Sequence, residues 1–155
     1  MKKTLLSVVV PVFNESLGLE VFNVDLTDEL KKNNDTLYEI IYCDDGSTDN
    51  SSDIIKRVAE ADSRVKLLSL SRNFGKEYAL SAGIHYANGD CVISLDADGQ
   101  HPPRFIHDFI DKWQKGIDVV VGVRSGQKNK PIRSLGSTIF YKLFNALSKQ
   151  EMMPG

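Results

Sequence analysis

The sequence predicts an α/β protein built on a mostly parallel sheet that is flanked by helices. Five short apolar runs alternate with helical patterns, and a polar cluster follows each run. Continuous apolar runs are typical of strands buried on both faces, as in parallel sheets. Alternation of strand and helix favours the same arrangement. With 155 residues, 41% of them hydrophobic, and a net charge of −2, the chain is expected to form one globular domain overall.

The first half of the chain contains three predicted strands and two predicted helices. The strands are expected at residues 5–10, 39–43 and 65–70. A helix over about 17–31 is expected because Leu19, Phe22, Leu26 and Leu30 recur at helical spacing. A second helix, at about 49–62, begins with Ser and Asp residues that suit a helix start.

The second half continues the alternation. A third helix is predicted at 76–87, ended by Asn88-Gly89, and strands are predicted at 91–95 and 119–123. Between these strands a helix opens at Pro103, with Phe105, Phe109 and Trp113 four residues apart as its expected apolar face. A final amphipathic helix is predicted at 133–148.

The lengths of the apolar stretches and the positions of the cysteines bear on where the protein is expected to reside. No apolar stretch reaches the roughly 18 residues needed to cross a bilayer, and the start of the chain lacks the pattern of a signal peptide. Cys43 and Cys91, the only two cysteines, lie in apolar runs, which predicts buried free thiols in a reducing compartment.

Charge is unevenly distributed along the chain. Residues 124–149 hold six basic residues and no acidic one, whereas the rest of the chain has a net charge of −8. Such a segment is suited to contact an anionic partner, although a solvated basic helix face is the simpler alternative.

The polar cluster after the fourth strand has the clearest chemical meaning. Asp96-Ala97-Asp98-Gly99 follows the apolar run that ends at Leu95. Two carboxylates at one strand end repel each other unless a cation lies between them, and Mg²⁺ is usually held by one or two carboxylates together with substrate phosphates. The motif therefore predicts a metal-bridged diphosphate site, with an Asp-rich surface turn as the alternative.

Clusters after the other strands would meet at the same edge, where α/β sheets bind ligands. Asp44 and Asp45 are candidate acceptors for a base or ribose, and Asp49 is the expected helix cap. Lys76 and Arg72 lie at a predicted helix start, a favourable place for phosphate. Gln100 offers a third oxygen to a metal. Neither a Walker-type loop nor a Gly-x-Gly-x-x-Gly fingerprint is present.

Five segments in series resemble glycosyltransferase family 2, and most closely its polyprenol-phosphate hexose transferase branch. They are Pro11-Val12-x-Asn14-Glu15, Asp44-Asp45-Gly46-Ser47-x-Asp49, Ser71-Arg72-Asn73-Phe74-Gly75-Lys76-Glu77, Asp96-Ala97-Asp98-Gly99-Gln100-His101-Pro102-Pro103 and Val121-Gly122-Val123-Arg124. The resemblance covers nearly the whole chain. It implies a GT-A fold, which is a Rossmann-like sheet, and an inverting transfer of hexose from a nucleoside diphosphate to a polyprenyl phosphate.

The resemblance also implies roles for individual residues. The expected nucleotide-binding residues are Pro11, Val12, Asn14, Glu15, Asp44, Asp45, Lys76, Asp96 and Ala97. Asp96, Asp98 and Gln100 are the expected ligands of a divalent cation, Mg²⁺ or Mn²⁺, and the two aspartates are the expected catalytic residues. The acceptor phosphate is expected at Arg124, Arg133 and Ser137.

The expected partners are a UDP- or GDP-hexose, a polyprenyl phosphate and the cytoplasmic face of a membrane, with no nucleic acid. Self-association is a further expectation. Residues 1–124 would form the nucleotide-sugar half, and 125–155 the start of an acceptor half that is truncated at its carboxyl end. A family member acting on polysaccharide, a nucleotide-binding but inactive fragment, and a sugar nucleotidyltransferase are the alternatives. The last would carry a Gly-rich loop after the first strand, which is absent here.

Overall fold

The computed structural model describes residues 3–33, 36–98 and 102–122. Four strands and four α-helices alternate along these residues. They are β1 (Thr4–Val12), α1 (Leu19–Lys31), β2 (Thr36–Asp44), α2 (Ser51–Ala61), β3 (Val65–Ser69), α3 (Lys76–Tyr86), β4 (Cys91–Ser94) and α4 (Ile106–Gln114). A single turn of 3₁₀-helix, Pro103–Phe105, leads into α4.

The four strands form one parallel sheet in the order β3-β2-β1-β4. Val12 at the end of β1 lies beside Asp44 at the end of β2, and Asp44 lies beside Ser69 at the end of β3. The carboxyl ends of these strands therefore meet at one edge of the sheet, which we call the carboxyl edge. The predicted parallel α/β architecture is confirmed.

The core lies on both faces of the sheet because side chains of a strand alternate between its faces. One face packs Leu6, Val8, Val10 and Val12 of β1 against α1, α2 and α4. On the other face, Val9 of β1 packs against Ile41 and Cys43 of β2 and against Ala79 of α3. Gly83 lets α3 approach closely, since a methyl group there would collide with Cys43 and Val9.

The buried side of the helix after β4 is shifted by one residue from the predicted positions. Ile106 and Ile110 are buried, whereas Phe105 is 43% exposed and Phe109 packs only at the border of the core. Both sets recur every four residues, so spacing alone could not choose between them. Packing against the core selects Ile106 and Ile110, and Phe105 lies in the 3₁₀ turn before the first α-helical residue.

The prediction of a fifth strand at 119–123 is wrong for residues 119–122, which are the part of it that the structure describes. Residues 119–122 are not in a strand, and Val119 and Val121 are exposed. No other strand of the described residues pairs with them, so the backbone hydrogen bonds of a ladder cannot form. Residue 123, the predicted helix at 133–148 and the predicted boundary at 124/125 lie outside the described residues.

The two cysteines are both free thiols. Cys43 is buried, and burial raises the pKa of its thiol to about 12. Cys91 is only half-buried, so the prediction of two fully buried thiols holds for Cys43 alone. Among the described residues, no helix is long and apolar enough to cross a membrane.

Candidate active site at the carboxyl edge

Asn14 joins the loop after β1 to the loop after β2. Its backbone has a positive φ of 56°, a conformation that Asn tolerates better than most residues. The side-chain oxygen of Asn14 accepts hydrogen bonds from the Thr48 N–H at 2.8 Å and the Asp49 N–H at 3.3 Å. The Asn14 N–H in turn donates to Ser47 Oγ at 3.0 Å. Asn14 therefore holds the two loops together.

Asp49 fixes the same pair of loops from the other side. Its carboxylate accepts the Ser16 N–H at 3.0 Å and the Ser51 N–H at 2.9 Å. Burial alone would raise the pKa of Asp49, but hydrogen bonds from Ser51 and Ser16 outweigh burial and hold this pKa below its usual range. Ser51 is the first residue of α2, so Asp49 does bind the helix start. The N-cap position, however, is occupied by Asn50 and not by Asp49, so the predicted cap is one residue out.

Asp45 joins the loop after β2 to the loop after β3. It is 2% exposed, and its two oxygens accept the N–H groups of Phe74 and Gly75, each at 2.8 Å. Gly46 follows with a φ of 70°, and a methyl group there would lie 2.5 Å from the carbonyl carbon of Arg72. The residue after Asp45 therefore has to be a glycine for the two loops to approach this closely.

Lys76 connects the loop after β3 to the loop after β4. Its ammonium nitrogen lies 2.6 Å from Asp96 Oδ1, and the Lys76 side chain is 56% exposed. Lys76 is the first residue of α3, and Asp96 lies two residues beyond the end of β4. Four loops are thus linked in sequence along the carboxyl edge.

Negative charge is concentrated where the loop after β1 meets the loop after β4. The pKa of Glu15 is raised, first by burial and then by the charges of Asp98, Asp49 and Asp96. This effect requires each of the three aspartates to lie near Glu15. Asp96 and Asp98 therefore lie in the same electrostatic environment as the loop that carries Asn14 and Glu15.

The donor set fits a hard divalent cation. Mg²⁺ is commonly bound by one or two carboxylates and completes its shell with water and substrate phosphates. Asp96 and Asp98 supply two carboxylates, while Gln100 lies outside the described residues. Across residues 3–33, 36–98 and 102–122, no group of three or more His, Cys, Asp or Glu side chains is arranged to hold a metal.

The structure brings together the polar residues predicted from four strand ends. Asn14, Glu15, Lys76, Asp96 and Asp98 meet at this edge. Four other candidates are buried and are not brought to the surface of this edge; they are Val12, Asp44, Asp45 and Ala97.

The remaining details concern Pro11, Asp44 and the candidates for the acceptor phosphate. Pro11 is half-buried in β1. The Asp44 carboxylate accepts the Ser47 N–H at 3.0 Å. The candidates for the acceptor phosphate, Arg124, Arg133 and Ser137, lie outside the described residues.

Sequence reasoning missed the hydroxyl groups that connect the loops. Ser47 accepts from Asn14, and Ser51 Oγ accepts the Glu15 N–H at 2.9 Å. Serines and glycines are common in turns, so their presence alone could not separate these contacts from solvent-facing positions. Only Gly46, directly after two aspartates, indicated in the sequence that two loops approach each other closely here.

Comparison with known proteins assigns the family. Residues 7–152 match the model of glycosyl transferase family 2. The chain belongs to glycosyl transferase family 2. The match begins within β1 and includes β2, β3, β4 and all the loops of the carboxyl edge, so the family resemblance in the sequence is confirmed.

Two relatives illustrate the similarity of the chain to known glycosyltransferases. The chain is 42% identical to the bactoprenol glucosyl transferase of Shigella phage SfV, covering 92% of this chain and 47% of that protein. It is 39% identical to the uncharacterized glycosyltransferase sll0501 of Synechocystis, covering 96% and 47%. The chain therefore spans about half the length of these curated relatives.

The solved structure is the mannosyltransferase PcManGT of Pyrobaculum calidifontis, in complex with GDP-Man and Mn²⁺. It superposes with a TM-score of 0.58 at 26% identity, covering 73% of this chain and 33% of that one. The GT-A-like architecture is thereby confirmed.

Proposed function

We propose that this chain is the nucleotide-sugar-binding half of an inverting glycosyltransferase that moves a hexose from UDP- or GDP-hexose to a polyprenyl phosphate. The observation that carries the proposal is the joining of four loops at the carboxyl edge, with Glu15, Asp96 and Asp98 close together and Lys76 beside them. Membership of glycosyl transferase family 2 and the similarity to a bactoprenol glucosyl transferase support it.

The residues divide into groups with separate tasks. In this proposal Asn14 and Glu15 face the base and ribose, and Lys76, Asp96 and Asp98 face the diphosphate. Buried Asp45 supports the site by holding the loop after β3. A divalent ion at the two aspartates would supply Lewis-acid stabilisation of the departing diphosphate. The acceptor phosphate is assigned to Arg124, Arg133 and Ser137, since Arg can bind two phosphate oxygens with its planar guanidinium.

The acceptor explains why this half needs no general base of its own. A phosphate monoester has a second pKa of about 6, so its oxygen is already largely ionised near neutral pH. A sugar hydroxyl would first have to lose a proton. The acidic residues of the site are therefore free to serve the donor. A membrane-facing position for the basic segment 124–149 follows from the same acceptor, because polyprenyl phosphates reside in bilayers.

Thermal unfolding with a panel of nucleotide sugars tests the donor half of the proposal. UDP-glucose or GDP-mannose is expected to raise the unfolding temperature of the chain in the presence of Mn²⁺, and to do so far less with EDTA. The failure of every nucleotide sugar to stabilise the chain with Mn²⁺ would refute the nucleotide site.

Release of nucleoside diphosphate tests the acceptor. We expect release to depend on added polyprenyl phosphate and not on an oligosaccharide. Dependence on the oligosaccharide would favour the polysaccharide-acting alternative. Stabilisation by the nucleotide without any release would indicate a fragment that binds but does not react.

A further inference from the structure

Lys76 occupies an unusual position for a cationic side chain. It is the first residue of α3, an 11-residue helix whose N-cap residue, Gly75, has no side chain to cap the helix start. The amino end of a helix carries partial positive charge and favours anions over cations. A lysine here therefore gains from a nearby anion, and Asp96 provides it with an oxygen 2.6 Å from the ammonium nitrogen.

The contact with Asp96 uses a carboxylate that the proposed metal site also needs. Asp96 Oδ1 accepts the Lys76 ammonium, and Asp96 is one of the two carboxylates assigned to the divalent ion. A cation that took this oxygen would repel the ammonium at such a short distance. Lysine and metal therefore compete for the same ligand.

The ion pair is built so that it can be exchanged. The Lys76 side chain is 56% exposed, whereas that of Asp96 is 24% exposed. Ion pairs with one solvated partner contribute little to stability, and the long lysine stem can turn without leaving a cavity. The backbone around Lys76 is instead held firmly, since the N–H of the preceding Gly75 donates to buried Asp45 at 2.8 Å.

We propose that Lys76 is an exchangeable counter-ion: it pairs with Asp96 until a divalent ion takes that carboxylate, and then turns to bind the diphosphate. The inference rests on the proposed nucleotide site and adds to it a competition between one side chain and the metal. Through this exchange, Lys76 disfavours binding of the metal alone and favours binding of the metal together with a nucleotide. The site thereby selects the loaded donor over free metal.

Calorimetric titration of the 155-residue chain with Mn²⁺ alone, and with UDP and GDP in the presence of Mn²⁺, tests the exchange. Lys76→Met removes the charge and keeps the length of the side chain. We expect this variant to bind Mn²⁺ alone more tightly, by about threefold to fivefold, which is the size of a partly exposed ion pair. We expect it to bind the nucleoside diphosphate with Mn²⁺ about tenfold more weakly.

Two control variants accompany this measurement. Lys56→Met removes a lysine that forms a comparable exposed pair with Asp53, at 3.1 Å on α2, and should change neither affinity. Lys76→Arg keeps the charge and should keep the wild-type order of affinities. Thermal unfolding of each variant establishes that it is folded.

The two affinities must move in opposite directions for the exchange to stand. Loss of both in Lys76→Met would make the lysine a purely structural support of Asp96, and no change in either would remove it from the site. Absence of Mn²⁺ binding by both the wild type and Lys76→Met would also overturn the competition. Failure of UDP and GDP to bind the wild type would instead refute the proposed function, while the Mn²⁺ titration would still report on the competition.

Discussion

The two edges of the sheet each carry a polar network, and they differ in charge balance. At the amino edge, Glu39 is 6% exposed and has a full set of partners. Its oxygens accept the Ser7 hydroxyl at 2.6 Å, the Lys66 ammonium at 2.6 Å and the Asn88 N–H at 2.8 Å. At the carboxyl edge, the charges of Asp98, Asp49 and Asp96 act unfavourably on the carboxylate of Glu15.

The pKa directions express this difference. Burial would raise the pKa of Glu39, but the hydrogen bonds from Lys66, Ser7 and Asn88 outweigh it and lower the pKa. Burial and three neighbouring carboxylates raise the pKa of Glu15. A balanced network stabilises the native fold by itself, whereas a network with excess negative charge gains most from a bound cation.

The largest expected effect is on ligand binding at the carboxyl edge. Asp98→Asn should weaken Mn²⁺-dependent binding of the nucleoside diphosphate by about a hundredfold, because it removes a charged metal ligand. The free energy of unfolding should change by only about 0.5 kcal/mol, since Asp98 is exposed. Calorimetry and urea unfolding measure the two quantities. Unchanged nucleotide affinity would exclude Asp98 from the site.

The next effect is on the framework that holds the loops. Gly46→Ala should lower the free energy of unfolding by about 2–3 kcal/mol, because it combines a positive φ with a collision against Arg72. Gly116→Ala is the matched control. Gly116 also has a positive φ, of 89°, but nothing lies within 4 Å of the added methyl group, so about 1 kcal/mol is expected. Equal losses in urea unfolding would show that the close approach of the loops is unimportant.

A smaller effect is expected from the amino edge. Glu39→Gln should lower the free energy of unfolding by about 2 kcal/mol, because Lys66 loses its charged partner and a buried acceptor is altered. The affinity for nucleotide, measured under conditions where the variant is folded, should stay within about twofold. A large loss of affinity with intact stability would contradict the division between the two edges.

The smallest effect is a dependence on pH. Because the pKa of Glu39 is lowered on folding, its stabilising contribution is complete above the unfolded value of about 4.3 and is lost as pH falls through the lower folded value. The stability difference between wild type and Glu39→Gln should therefore shrink as pH decreases below about 4.3. Urea unfolding at pH 7, 4 and 3 measures it. A constant difference would mean that the carboxylate charge does not matter.

Local pattern was sufficient for much of the fold. Leu19, Phe22, Leu26 and Leu30 were predicted on one face of α1, and all four are buried. Hydrophobic periodicity determines such faces because each helix must bury its apolar side. Periodicity could not choose between Phe105 and Ile106 in α4, since both repeat every four residues, and packing against the sheet decided it.

The amino-acid sequence by itself determined the alternation of strands and helices, the family, and the set of polar residues that end up at the carboxyl edge. Parallel strands bring their ends together wherever the loops occur, so this much needs no coordinates. Only the tertiary structure decided what each side chain does there. It directed the Asp45 carboxylate to the backbone of Phe74 and Gly75, and it paired Lys76 with Asp96. These contacts join residues 20 to 30 positions apart, and their geometry depends on how the loops pack, which no local pattern encodes.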